Sequence, residues 1–200
     1  GFAVALRDTA AVFIDGRYRL QVRAQVDTDH FTPVHWPETK LSDWLREALP
    51  GGGKVGFNPW LHTRAEIEKL EKDLTGSGIE MTRHDGPFIA RIWPDRPDPP
   101  EEPVTAYPDE LAGESQAEKR ARIGAALAEA GEDHAILTLP DSICWLLNLR
   151  GTDIPRNPVF QAFAILSADG SVRLYRRDGR AHRDIEPMIG DGVTVLPEHM

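Results

Sequence analysis

Six prolines fall within the seventeen residues Ile92–Pro108, IWPDRPDPPEEPVTAYP. Proline has no amide hydrogen and fixes its own φ, so a run this dense cannot be a helix interior or a central strand. It reads instead as a stiff, extended connector. The connector divides the chain into two expected folding units, residues 1–109 and 110–200. On each side short apolar runs alternate with amphipathic stretches, which argues for α/β layers with mixed sheets and packed helices.

In the first half, Phe2–Leu6 and Ala11–Ile14 are apolar runs separated by RDTA and predict a hairpin. Asp15-Gly16 then leads into a helical stretch with Tyr18, Val22 and Val26 at four-residue spacing. FTPVHW predicts an extended segment. Leu41, Trp44, Leu45, Ala48 and Leu49 make one helical stripe, stopped by Pro50 and three glycines. KVGF and GIEMTR predict strands. Between them Thr63 and Glu66 have the spacing of a capping box, with Ile67, Leu70 and Leu74 inward and Gly76 past the helix end.

The second half repeats the rhythm. Ser115 and Glu118 predict another capping box, opening a helix with Ile123, Leu127 and Ala130 on one face and Gly131 as its stop. HAILTL predicts a strand, Asp141 an N-cap for a short helix through Leu147, and VFQAFAIL a strand. SADG turns that strand back into SVRLYR, and VTVLPEHM predicts a last strand. The chain starts on GFAVAL, already strand-like, and stops on a strand. The start of the first unit and the end of the second are therefore expected to lie outside these residues.

The net charge is −9 over 200 residues, with no basic face or tail. That composition speaks against nucleic acid and anionic membrane as partners. No apolar run approaches the roughly 18 residues of a membrane span, and the single cysteine suits a reducing compartment. A cytoplasmic protein is expected.

Asp141–Phe160, DSICWLLNLRGTDIPRNPVF, gathers an acid, the chain's only thiol and two arginines around an apolar run. Cys144 beside Trp145 on a short apolar helix reads as a small buried hydrophobe rather than a nucleophile. Cys144, Trp145 and Leu146 are expected inside. Gly51, Gly53 and Gly56 satisfy G-x-G-x-x-G, but a helix precedes them and a strand follows. A dinucleotide site needs the opposite order. Lys54 has no Ser or Thr after it to complete a P-loop. His182–Asp184 spells HRD, without the asparagine that a kinase catalytic loop carries five positions beyond the aspartate. His30 and His35 are five apart and make no metal-ligand pattern. No catalytic or metal-binding residue is assigned. Arg17 is the exception to this quiet reading: it follows Asp15-Gly16 in a first helical turn, where the dipole disfavours a cation. Unless Asp15 neutralises it, such a residue is a candidate for binding.

Four segments together resemble the N-terminal, non-catalytic portion of aminopeptidase P, the Xaa-Pro aminopeptidase of the creatinase superfamily. They are FIDGRYRLQV at Phe13–Val22, KVGFNPWLHT at Lys54–Thr63, RIWPDRPDPP at Arg91–Pro100 and DSICWLLNLRGTDIPRNPVFQAFAIL at Asp141–Leu166. They occur in order across nearly the whole chain. Cys144 stands where a smaller residue such as alanine is expected, and Asn58 where an acid is common.

The resemblance implies two creatinase-type α/β domains ahead of a catalytic domain that holds two divalent metals, manganese in the usual case. Those metals would supply a bridging hydroxide against an Xaa-Pro bond. Within these 200 residues it implies no metal ligand and no cleavage, but a substrate-gating and assembly role, with Arg17 as a peptide contact. The implied partners are proline-containing peptides, the protein's own catalytic domain and a second copy in a homodimer. A peptide- or protein-docking module without catalysis, and a part of a prolidase or creatinase, are the alternatives.

Overall fold

β1 (Phe2–Ala5) and β2 (Ala10–Ile14) form the expected antiparallel hairpin, with Phe2 opposite Phe13. The computed structural model describes residues 1–86, 88–176 and 185–198. The HRD triplet lies outside them. Two compact units divide the chain, Gly1–Arg96 and Pro97–Met200.

In the first unit β3 (Thr32–His35) adds parallel to β2, so that Ile14 pairs with His35. The stretch between these strands is not the single helix that the Tyr18, Val22, Val26 spacing predicts. It is a 3-10 turn at Gly16–Tyr18 followed by α1 (Gln21–Gln25), and Val26 is already extended. The Asp15 carboxylate accepts the Arg17 N–H at 2.9 Å and so starts a tight turn at that point. α2 (Leu41–Ala48) presents the predicted stripe. Ala11, Phe13 and Val34 pack beneath Leu41 and Trp44, with Phe2 stacked on Phe13 at 4.6 Å and Trp44 edge-on to it at 5.9 Å. Leu41 and Trp44 also border a second cluster around Leu45, Val55 and Leu74.

β4 (Gly53–Phe57) and β5 (Ile79–Arg83) are parallel, and α3 (Arg64–Asp73) connects them, opened by the Thr63–Glu66 capping box. Of the two glycines before β4, Gly52 answers to packing and Gly51 faces open space. Gly52 has φ of +76°, and a Cβ there would lie 2.4 Å from the Gly78 carbonyl oxygen. α4 (Phe88–Ile92) ends the unit's regular structure.

The second unit takes in most of the proline-rich segment. Val104 is buried in its core, and β6 (Thr105–Ala106) pairs antiparallel with β8 (Leu149–Arg150). The compact units therefore part at Arg96/Pro97 rather than after residue 109. α5 (Asp109–Ala112) leads to α6 (Gln116–Ala130), which carries the Ser115–Glu118 capping box and stops at Gly131 with φ of +75°. β7 (His134–Leu137), β9 (Phe163–Ser167), β10 (Val172–Arg176) and β11 (Val193–Pro197) form a mixed sheet in the order β11-β10-β9-β7. Only β10 and β11 run parallel in it. α7 (Pro140–Leu147) packs on this sheet through Ile143, Cys144, Leu146 and Leu147.

Three expectations are corrected here. Asp141 is not the N-cap of α7: Leu139 is, Pro140 takes the first helical position, and Asp141 sits in the first turn without a capping hydrogen bond. Trp145 is 43% exposed rather than buried, because it shares the outward face of α7 with exposed Asp141 one turn earlier, while Ile143, Cys144, Leu146 and Leu147 face the core. The strand predicted from Val159 begins at Phe163. The Gln161 N–H is taken by the Asp153 carboxylate at 2.7 Å, so that backbone is bonded to a side chain rather than to a neighbouring strand.

Candidate functional site

The Asp141–Phe160 stretch builds a depression of about 180 Å³ lined by Asp141, Cys144, Trp145, Arg150, Asn157 and Pro158, with Val159. Its groups are committed to structure. Arg150 donates to the Cys144 and Leu149 carbonyls at 3.1 and 2.8 Å and lies over the Tyr107 ring at 4.2 Å. The Cys144 carbonyl also accepts the Asn148 N–H that caps α7, so the guanidinium braces the end of that helix against β8. Cys144 is 2% exposed, and burial pushes its thiol pKa up, which disfavours the thiolate a nucleophile needs. Asp153 is buried and accepts the Glu102 and Gln161 N–H groups at 3.0 and 2.7 Å. The stretch is a well-bonded scaffold.

The other sequence candidate stands apart from it, in the first unit. β2 delivers Asp15 and the 3-10 turn delivers Arg17. The Asp15 carboxylate accepts Arg17 Nε at 3.1 Å and Nη2 at 2.8 Å, besides the Arg17 backbone N–H. The Arg17 side-chain hydrogen bond, then the backbone one, hold the Asp15 pKa at about 2, and Asp15 raises that of Arg17. The pair is thus ionised across the whole neutral range, and the Arg17 side chain remains 84% exposed. Asp15 fixes one edge of the guanidinium and leaves Nη1 outside its fork. Neutralisation and availability coexist, which the sequence reading set against each other. This cluster lies past the carboxyl ends of the parallel strands β2 and β3, where open α/β sheets characteristically hold ligands.

The spacing of charged and aromatic residues did not single out Tyr18 and Trp36, which share this end of the sheet. Tyr18 was placed on a helix face, yet it is 44% exposed, and Arg17 Cζ lies 5.8 Å from its ring centre. Trp36 is 50% exposed. Its place beside Asp15 comes from the β2–β3 register, which a single sequence does not reveal. Asn58, where the resemblance has an acid, accepts the Trp60 N–H at 2.9 Å and caps the 3-10 turn Pro59–Leu61. An aspartate would do the same work. His30 pairs loosely with Asp27 at 4.0 Å. Among the described residues no three His, Cys, Asp or Glu side chains are grouped to hold a metal. The described residues do not fit the metal pair that the resemblance implies, and no step through it is assigned to them. No helix among them is long and apolar enough to cross a membrane.

Comparison with known proteins gives this geometry a lineage. Residues 95–200 match the family model described as the creatinase/prolidase N-terminal domain. "Probable Xaa-Pro aminopeptidase P" of Leptosphaeria maculans is 33% identical over 205 residues, covering 98% of this chain and 33% of that protein. The protein of the same name in Talaromyces marneffei is 34% identical over 200 residues, covering 98% of this chain and 30% of its own. The chain thus spans about a third of the length of the curated relatives it matches. The crystal structure of X-prolyl aminopeptidase from Caenorhabditis elegans, a cytosolic enzyme with a di-nuclear active site, superposes with a TM-score of 0.84 at 27% identity. That match covers 98% of this chain and 32% of the nematode one. With the family model matching more than half of its length, the chain belongs to the creatinase/prolidase N-terminal domain family.

Proposed function

We propose that these residues are the N-terminal, non-catalytic portion of a cytoplasmic, metal-dependent aminopeptidase that removes the residue ahead of proline. In this reading the two compact units are its first and second creatinase-type domains. They gate the approach of proline-containing peptides and carry assembly, against the protein's own catalytic domain and within a homodimer. The catalytic domain, outside these residues, holds two divalent metals, manganese by preference. Arg17 contacts the peptide.

The observation that carries the reading is alignment over 98% of the chain with proteins named for Xaa-Pro cleavage. Support for Arg17 comes from its geometry: Asp15 holds the guanidinium while it stays in solvent at the end of parallel strands. Peptidase assays test the proposal in three proteins. The 200-residue chain should not cleave Xaa-Pro peptides. The longer protein should cleave them with manganese added. Arg17→Ala in the longer protein should lower kcat/KM by roughly 5- to 150-fold if a charge-assisted bond to the peptide is lost in the transition state. Cleavage by the short chain alone would remove the gating reading, and unchanged kinetics in the variant would remove Arg17 from the site.

A further inference from the structure

Packing accounts for only part of the polar surface around the depression in the second unit. Asp141 and Trp145 stand one turn apart on α7, Arg150 lies on β8 and Asn157 in the loop beyond it, and all four line the same space of about 180 Å³. Buried Cys144 and Val159 line it as well. Arg150 spends Nη1 on two carbonyls. Its Nε and Nη2, the Asn157 side-chain amide and the Asp141 carboxylate have no hydrogen-bond or ion-pair partner among the described residues. The walls that carry these groups are fixed. Arg150 is held by its carbonyls and by the Tyr107 ring, 4.2 Å from Cζ. On the loop, the Asn157 N–H donates to the Ile154 carbonyl at 3.1 Å, and the Val159 N–H to the Asn157 carbonyl at 2.8 Å. The turn so closed holds Arg156 at φ of +65°, a position that favours glycine or asparagine. Such a turn is kept against its local preference, as backbone at ligand sites often is.

The unspent groups select the ligand. Arg150 and Asn157 offer donors to an oxyanion, and the guanidinium edge suits a carboxylate. Asp141 offers a charged acceptor to a cation, and it would repel a ligand that is an anion only. Trp145, half in solvent, offers a ring to an apolar group. The space is smaller than the roughly 300–1,000 Å³ of most small-molecule sites, so only a few heavy atoms can enter. A carboxylate, an ammonium group and a short apolar side chain joined within that size make a free amino acid.

We propose that Asp141, Trp145, Arg150 and Asn157 form a binding site for a free amino acid with an apolar side chain. Arg150 and Asn157 donate to its carboxylate, Asp141 accepts from its ammonium group, and its side chain packs on the Trp145 ring. The site stands on the second unit alone and does not rest on the function proposed above.

Titration of the 200-residue chain with leucine, N-acetylleucine and leucinamide, followed by amide shifts and the Trp145 indole N–H signal, tests this directly. Leucine should give saturable shifts concentrated in residues 141–150 and 157–159, with millimolar affinity. N-acetylleucine lacks the ammonium group and leucinamide the carboxylate, so each should bind about tenfold more weakly or worse. Asp141→Asn should remove the preference for leucine over N-acetylleucine and keep that over leucinamide. Asn157→Ala should weaken leucine and N-acetylleucine alike, by about threefold to tenfold. Trp145→Ala should weaken leucine about tenfold. Trp36→Ala, at an exposed tryptophan of the first unit, should change nothing. The spectra themselves show whether each variant is folded. Absence of saturation at tens of millimolar, shifts concentrated elsewhere, N-acetylleucine bound as tightly as leucine, or an Asp141→Asn chain that still discriminates between them would overturn the site.

Discussion

Asp153→Ala should open the second unit while leaving the first intact. The Asp153 carboxylate is buried, accepts Glu102 N–H at 3.0 Å and Gln161 N–H at 2.7 Å, and faces Arg176 at 3.9 Å. Alanine would strand two part-buried backbone donors, each at about 1–3 kcal/mol, and remove a negative neighbour of a buried guanidinium. Water entering the space recovers part of this, so about 2–4 kcal/mol is expected. At tenfold per 1.4 kcal/mol, the open population rises roughly 30- to 700-fold. The chain has one cysteine, Cys144, and it is buried in this unit, so the rate of thiol labelling under native conditions reads the opening. The variant should label faster by that factor at neutral pH, with amide exchange in α2 and α3 unchanged. Asp153→Asn keeps one acceptor oxygen and should fall between. A labelling rate within about threefold of the parent would refute the claim that this carboxylate holds the unit closed.

Three further outcomes follow from other contacts. Burial raises the Cys144 pKa in the folded state, so its contribution is fully present below the unfolded thiol pKa of about 8.5 and is lost as pH rises through the folded value. The stability difference between parent and Cys144→Ala, by urea unfolding, should therefore shrink above that pH. The difference is the right quantity because buried Lys119, whose pKa desolvation lowers, pulls the other way in both proteins. Gly124→Ala should destabilise the second unit by about 1–3 kcal/mol in urea despite its better helix propensity. Its Cβ would lie 2.8 Å from the Ala168 oxygen and 2.9 Å from the Gly170 nitrogen, both backbone atoms of the β9–β10 turn. Leu45→Ala, at 0% exposure in the first unit, should cost about 2–5 kcal/mol and lower the melting of that unit.

Local signals carried much of the fold. Both capping boxes, the Gly131 stop and the two hairpins depend on residues a few positions apart, and all form as their spacing implies. What depends on distant partners was hidden. Lys119 and Arg120 are charged residues that a sequence pattern alone would leave in solvent, yet both are buried, Lys119 one turn before Ile123 on the same face of α6. Lys119 Nζ reaches the Trp145 carbonyl and Asn148 Oδ1, and Arg120 reaches the carbonyls of Gly170 and Asp191. Open carbonyls at the end of α7 and in the turns by the sheet need donors, and nothing in the α6 pattern announces that need. Trp145 was misplaced for a related reason: Lys119 and Arg122 lie over its ring at 4.7 and 5.8 Å, so cations rather than core cover it. At the candidate site, Arg17 reads from the sequence as a cation in a first helical turn with Asp15 as its neutraliser, whereas it sits in a 3-10 turn ahead of α1, so the pairing with Asp15 holds and the dipole premise does not. Trp36 was not legible, because its neighbours are set by strand register.

The connector's anchors have a consequence for the order in which the chain is made. Thr105–Ala106 pairs with Leu149–Arg150, Tyr107 N–H donates to the Asn148 carbonyl at 2.7 Å, and the Asp153 that receives Glu102 lies 51 residues further on. Every one of these anchors is synthesised after the residue it holds. At about 5–20 residues per second the wait is roughly 3–10 s. Through that interval the first unit already has all its own strands and helices, while Pro97–Tyr107 trails from the ribosome as a tether with nothing yet to grip. A nascent chain arrested before Leu149 would keep that tether open to proteases and chaperones, and passing Gln161 is the moment at which it can be drawn in.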